Sequence, residues 1–215
     1  MPACREFDKK TRSRYFFKTI ALIEFNAPEP TGIMSARDAG YGTQPLAERL
    51  RARIRRAGAI SFRDWMEAAL YDEREGYYFR RDLKRWGRAG DYRTSPERSP
   101  LFAATFAGYF ATLYEELGAP REWTIFEAGA GAGDFAHGVL QTFQRDYPHI
   151  FSATRYVIDE ASADARERAS QRLSEFADRI EFRRFAEIGE PVNEGIVFSN
   201  ELLDAFPVHR VTMHD

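Results

Sequence analysis

Residues 127–133 read EAGAGAG, with an apolar run before them and a helix-like run after. Glycine at 129, 131 and 133 strips the side chains from three alternate positions. A backbone so bared can take positive φ and come very close to another group. WTIF ahead of the loop has β character, and GDFAHGVLQTFQRDY (133–147) has helical periodicity that stops before Pro148. Strand, bare turn and helix form the front of a nucleotide-binding βαβ unit, so this heptapeptide narrows the fold to a parallel α/β class.

The segments that follow agree with it. TRYVIDE (154–160), RIEFRRF (179–185) and EGIVFSN (194–200) read as further strands, and VHRVTM (208–213) as a candidate fifth. Residues 162–177 read as a helix capped by Ser162. Strand and helix in alternation imply a parallel sheet with right-handed crossovers. Upstream, residues 45–58 space Leu46, Leu50 and Ile54 as a helix, with arginines on the other face. Residues 61–71 open with Ser61 as cap and offer Trp65, Met66, Ala69 and Leu70 as a core face. Residues 101–118 form a third helix, with Leu101, Phe102, Phe106, Tyr109, Phe110, Leu113 and Leu117 on one broad face. The intervening loop, 72–100, is long for a compact domain and has the character of a lid or binding loop.

The expected organisation is an N-terminal extension (1–33), disordered or mis-called, then a helical and loop region (34–118), then the front part of a Rossmann-like domain (119–215). Helices enough to cover both faces of a doubly wound sheet are lacking, so the chain reads as the front of a larger protein or as a truncated one.

Two ligand classes compete for the glycine loop. A dinucleotide wants G-x-G-x-x-G/A, which GAGDFA (131–136) satisfies with Ala136 as the last small residue. S-adenosylmethionine wants an acid, a spacer and alternating glycines, which Glu127, Gly129, Gly131 and Gly133 match better. Glu127 then sits where a carboxylate can approach the cationic methionine end of the ligand, and the free amides of the next helix can receive its carboxylate. Asp159 and Glu160 end the second strand, where an acid accepts from both ribose hydroxyls of either ligand.

Composition excludes other classes. A net charge of -2 over 215 residues gives no drive toward nucleic acid. The apolar stretch 15–25 is broken by Lys18 and is shorter than the about 20 residues of a membrane span. Cys4 is the one cysteine, and the four histidines show no metal-ligand spacing with it. The arginines and lysine at 80, 81, 84, 85 and 88 suit a solvated loop or an acidic partner equally.

Five segments carry a resemblance: ISFRDWMEAALYDEREGYY (60–78), GDYRTSPERSPLF (90–102), FEAGAGAGDF (126–135), YVIDEASADARERASQRL (156–173) and SNELLDAFPVHRV (199–211). In this order they resemble the MidA-like class I S-adenosylmethionine-dependent methyltransferases. That family includes a mitochondrial complex I assembly factor that methylates an arginine of a partner subunit. Arg98, Ala132 and the missing glycine in PLFAATFA depart from the family pattern. The resemblance implies a Rossmann-like methyltransferase sheet with an N-terminal helical arm. It implies S-adenosylmethionine as cofactor and a protein side chain, arginine, as acceptor. The compartment it implies is the cytoplasm of a bacterium or the matrix of a mitochondrion. It places Asn200, Glu201 and Asp204 at the reacting centre, their carboxylates gripping a guanidinium in fork geometry. It also places Gly90, Asp91, Thr94, Ser95, Pro96 and Glu97 near the mouth as a lid, with an ordinary capped loop as the equal alternative. A scaffold that retains the fold without catalysis, and a nicotinamide-dependent oxidoreductase, are the competing readings.

Overall fold

The structure, a computed structural model, describes residues 44–83, 85, 99–188 and 194–213. The expectations for residues 1–33 and for Gly90, Asp91, Thr94, Ser95, Pro96 and Glu97 lie outside the described residues.

Two helices form the N-terminal arm: α1 (Leu46–Ala57) and α2 (Phe62–Tyr71), the latter capped by the Ser61 hydroxyl on the Asp64 amide. Then come α3 (Pro100–Glu116), β1 (Trp123–Ala128), α4 (Asp134–Asp146), a short α5 (Pro148–Ala153), β2 (Thr154–Asp159), α6 (Ala163–Arg172), β3 (Ile180–Phe182) and β4 (Gly195–Ser199). The four strands form one parallel sheet in the order β3-β2-β1-β4. The chain moves outward from β1 to β3 and then returns to the other side of β1. The strand order therefore reverses between β1 and β4, and ligands of such sheets bind in the crevice beyond the strand ends at that reversal.

The core lies on one face of the sheet. Trp123 and Ile125 of β1, Tyr156 and Ile158 of β2, and Ile196 and Phe198 of β4 meet α3 and α4 there. Phe135 of α4 stacks on Phe198 at 4.3 Å, with Phe106 and Phe110 of α3 edge-on around them. Tight contact between α3 and α4 comes from small residues. A Cβ at Gly138 would stand 2.5 Å from the Ala103 Cβ. This corrects the expected face of α3: Ala103, Ala107 and Ala111 are buried with Phe110 and Tyr114, while Leu101 and Tyr109 face solvent. Close helix approach favours small residues over large ones, which periodicity alone does not reveal.

Other expectations also shift. Trp65 is not a core residue of α2; it is 48% exposed beside Phe62, and Ala68 is the buried position. Residues 208–213 form no strand, and Val211 and Met213 are 87% and 94% exposed. α4 ends before Pro148 as expected, and Pro148 opens the separate α5, where its fixed φ suits the first turn.

Candidate functional site

Strand register assembles the site. Ala128 of β1 pairs with Asp159 of β2 and with Ser199 of β4. The next residue of each strand, Gly129, Glu160 and Asn200, therefore leaves the sheet at one level, beside the topological reversal. The Gly129 amide extends the ladder by one bond to the Asp159 carbonyl at 2.8 Å. After that the chain turns sharply, with φ of 72°, 56° and 82° at Gly129, Gly131 and Gly133. Left-handed values cost a side-chain-bearing residue about 1–2 kcal/mol each, which explains the three alternate glycines. Gly133 has a second reason: a Cβ there would be 3.1 Å from the Ala169 Cβ on α6. It is the N-cap of α4, and no side chain caps that helix start.

The two acids at the end of β2 part company. Glu160 turns to the glycine loop: its carboxylate accepts from the Gly131 amide at 2.9 Å and from the Ser162 amide at 2.8 Å. Arg166 clamps the same corner from below, donating to the carbonyls of Glu160 and Ala161 at 2.6 and 2.9 Å. Burial raises the Glu160 carboxyl above its usual range, with the two amides opposing and the Asp159 charge adding. Asp159 turns the other way, accepting from the Phe185 amide at 2.8 Å and pairing with Arg184 at 3.2 Å. The two acids are thus not brought together, and Glu160 alone of the pair borders the loop.

Glu127 is 3% exposed and accepts a 2.7 Å hydrogen bond from the Tyr156 hydroxyl inside the core. Burial pushes its carboxyl up to about 7, the Tyr156 bond pulling back and the Glu160 charge adding to the rise. It sits directly behind the loop rather than on the crevice surface.

Beyond β4 the segment Asn200–Ala205 folds over the loop. Leu202 covers Gly129, where a Cβ would come within 2.8 Å of its Cδ1. Glu201 is exposed and holds φ +51°, a left-handed value on a side-chain-bearing residue. Strain of that kind costs about 1–3 kcal/mol and concentrates at functional positions. Asn200 donates weakly to Glu201 at 3.4 Å, and Asp204 stands exposed in the 3₁₀ turn Leu203–Ala205. Sequence reasoning missed three contributors: Leu202, Arg166, and the arm turn carrying Tyr78 and Arg85. Arg85 is not a solvated loop residue but is fully buried, donating to the carbonyls of Tyr77 and Arg80. The motif EGYYF (75–79) was the available signal for that turn.

The residues present fit S-adenosylmethionine. Three left-handed glycines leave the backbone bare of side chains at the reversal, an uncapped helix start follows them, and a buried strand-end acid keeps lone pairs beyond those used by Gly131 and Ser162. Among the described residues no group of three His, Cys, Asp or Glu is arranged to hold a metal ion. No helix among them is long and apolar enough to cross a membrane.

An open parallel sheet reversing at β1 and β4, with this loop and this acid at its carboxyl edge, defines a Rossmann-like methyltransferase domain. Residues 105–215 match the family model Methyltransf_28, described as "Putative S-adenosyl-L-methionine-dependent methyltransferase", and the chain belongs to that family. It is 28% identical over 201 residues to the mitochondrial protein arginine methyltransferase NDUFAF7 homolog of Drosophila melanogaster, covering 84% of this chain and 44% of that one. The human NDUFAF7 protein is 29% identical over 99 residues, 46% of this chain and 22% of its own length. Among solved structures, a COG1565 superfamily member from Burkholderia thailandensis, bound to S-adenosyl-homocysteine, superposes with a TM-score of 0.61 and 33% identity. That match covers 75% of this chain and 42% of that one. The chain thus spans less than half the length of the relatives it matches.

Proposed function

We propose that this chain binds S-adenosyl-L-methionine at the crevice between β1 and β4 and serves methyl transfer to a protein side chain, an arginine guanidinium. The observation that carries the reading is the junction of Gly131 and Glu160, which puts a carboxylate against bare backbone at the reversal of the sheet. Glu160 would receive the ribose hydroxyls, and the uncapped amides at the start of α4 would receive the methionine carboxylate. When bound, the cofactor supplies an electrophilic methyl group on a positively charged sulfur. The chain's own task is alignment, which supplies most of the rate in such a transfer. Glu201 and Asp204 would hold the acceptor guanidinium by paired hydrogen bonds and carry its proton, and Asn200 would orient Glu201. Glu127, neutral over part of the physiological range, would support the loop from behind or meet the ligand's ammonium once the loop rearranges.

The names of the relatives, arginine methyltransferases of mitochondria, support the arginine acceptor; a respiratory complex I subunit as its carrier rests on the resemblance to the MidA-like family. A matrix location in a eukaryote, or a cytoplasmic one in a bacterium, belongs to the same proposal. Family membership decides against the nicotinamide reading. A scaffold that binds the cofactor without catalysis is separated by experiment. Calorimetry should detect S-adenosylhomocysteine binding to the chain and its loss in Glu160→Ala, with no response to a nicotinamide dinucleotide. Absence of any S-adenosylhomocysteine binding by the wild-type chain would reject the reading. Transfer of labelled methyl to a complex I subunit that persists undiminished in both Glu201→Ala and Asp204→Ala would leave those residues without a catalytic role.

A further inference from the structure

The arm is built to hold one tyrosine. Asp72, buried at the end of α2, accepts both guanidinium nitrogens of Arg49 at 2.7 and 2.9 Å and the amides of Arg74 and Glu75 at 3.1 and 3.0 Å. Gly76 is pressed against the backbone of Tyr71 and Asp72, where no side chain fits. The amides of Tyr77 and Tyr78 then return to the carbonyls of Ala69 and Leu70 at 2.9 and 3.0 Å. This locks the backbone of Tyr78 onto α2. From the other side Arg85 donates to the Tyr77 carbonyl at 2.8 Å and reaches Asp164 of α6 at 3.5 Å. The Tyr71 hydroxyl donates to the Ala205 carbonyl at 3.1 Å, fastening the arm to the turn after β4 across 134 residues of chain.

These anchors bring Tyr78 to the carboxyl edge of the sheet. Tyr78 stands half-buried against Tyr71, whose hydroxyl holds the Ala205 carbonyl next to Asp204. Burial raises the Tyr78 hydroxyl above its ordinary range, the charges of Asp204 and Glu160 add to the rise, and Arg85 opposes it. The Tyr78 ring lies 5.4 Å from that of Tyr71 and 5.2 Å from that of Tyr77. An aromatic face beside carboxylates is a recognition site for a planar organic cation. We propose that Tyr78 is part of the acceptor pocket, its ring and hydroxyl receiving, together with Asp204, the guanidinium presented for methylation. This rests on the methyl-transfer reading above and adds the arm to the substrate site. Core packing alone would not require a half-buried tyrosine to be fastened, through Tyr71, beside the turn that carries Asp204.

The test uses the whole 215-residue chain and two probes in calorimetry: S-adenosylhomocysteine, then N-acetyl-arginine amide added to the saturated protein. Tyr78→Leu should weaken the arginine probe by about 10-fold and Tyr78→Phe by about 3-fold, in keeping with a partly desolvated cation–π contact, while both keep S-adenosylhomocysteine affinity within about 2-fold. Unchanged affinity for the arginine probe in Tyr78→Leu overturns the inference and leaves the cofactor reading standing. Parallel loss of both ligands also overturns it, since Tyr78 would then only hold the fold. A wild-type chain that binds S-adenosylhomocysteine but not the arginine probe removes the acceptor assignment together with this inference. Binding of neither probe removes the cofactor reading as well.

Discussion

Glu160 accepts a hydrogen bond from the amide of Gly131 at 2.9 Å, joining the end of β2 to the loop that follows β1 across 29 residues. The same carboxylate satisfies Ser162, so it terminates one strand, starts α6 and shapes the loop at once. Glu160→Ala leaves two amides unsatisfied in a largely buried corner. The expected cost is about 2–4 kcal/mol, at about 1–3 kcal/mol for each amide with partial hydration. Urea denaturation checks the stability, and calorimetry should show S-adenosylhomocysteine binding weakened by at least about 10-fold, a charge-assisted hydrogen bond being worth about 1.5–3 kcal/mol.

Stability should fall as pH rises, through Glu127. Its carboxyl titrates near 7 in the fold against a reference of 4.5. Below 4.5 both states are protonated and the group contributes no penalty. Between 4.5 and 7 the unfolded chain ionises while the buried group keeps its proton, so folding is progressively disfavoured, by up to about 3 kcal/mol. Glu160, also raised, acts in the same direction. Asp72 opposes at the acid end: burial raises its carboxyl, but Arg49 and the amides of Glu75 and Arg74 outweigh it, and that support is lost as pH falls. Urea midpoints at pH 5 and pH 8 should differ in the wild type, and Glu127→Gln should shrink the difference. A Glu127→Gln chain with the same pH slope as the wild type would contradict this.

Glu201→Gly should separate stability from activity. Glycine takes φ +51° without strain, so the fold gains up to about 1 kcal/mol after the greater freedom of the unfolded chain is counted. A thermal melt should show the gain. If Glu201 holds the acceptor, transfer of labelled methyl should drop by about 10² or more, as when a positioning or proton-carrying group is removed.

Gly138→Ala should push α3 and α4 apart, since its Cβ would meet that of Ala103 at 2.5 Å. Overpacking of a tight helix crossing costs about 1–3 kcal/mol. Ala103→Gly alone should also destabilise, through a small cavity and glycine's cost in a helix, yet the double variant should recover part of the sum. A double-mutant cycle with no coupling would mean the helices do not touch there.

The glycine loop was legible because its cause is local. Left-handed backbone at 129, 131 and 133 disfavours side chains whatever surrounds it, and the neighbouring strand and helix declare themselves by periodicity. The choice between Asp159 and Glu160 was not legible. Adjacent residues at a strand end diverge, and which one meets Gly131 depends on where β1 and β3 lie. The segment 208–213 carries the β-branched Val208, Val211 and Thr212, but such residues express only the capacity to pair; it makes no ladder among the described residues. Trp65 and Leu101 misled for a related reason: apolar spacing marks a face without saying how much of it is covered.

Chain order and short-range chemistry were enough to establish a parallel α/β sheet, its bare loop and its family motifs, because turns, caps and periodicity act over a few residues. Strand register put Gly129, Glu160 and Asn200 at one level, and docking of the arm brought Tyr78 to the same edge. Those contacts join residues tens to more than a hundred positions apart, and their free energy arises only when the sheet and the arm bury surface against each other.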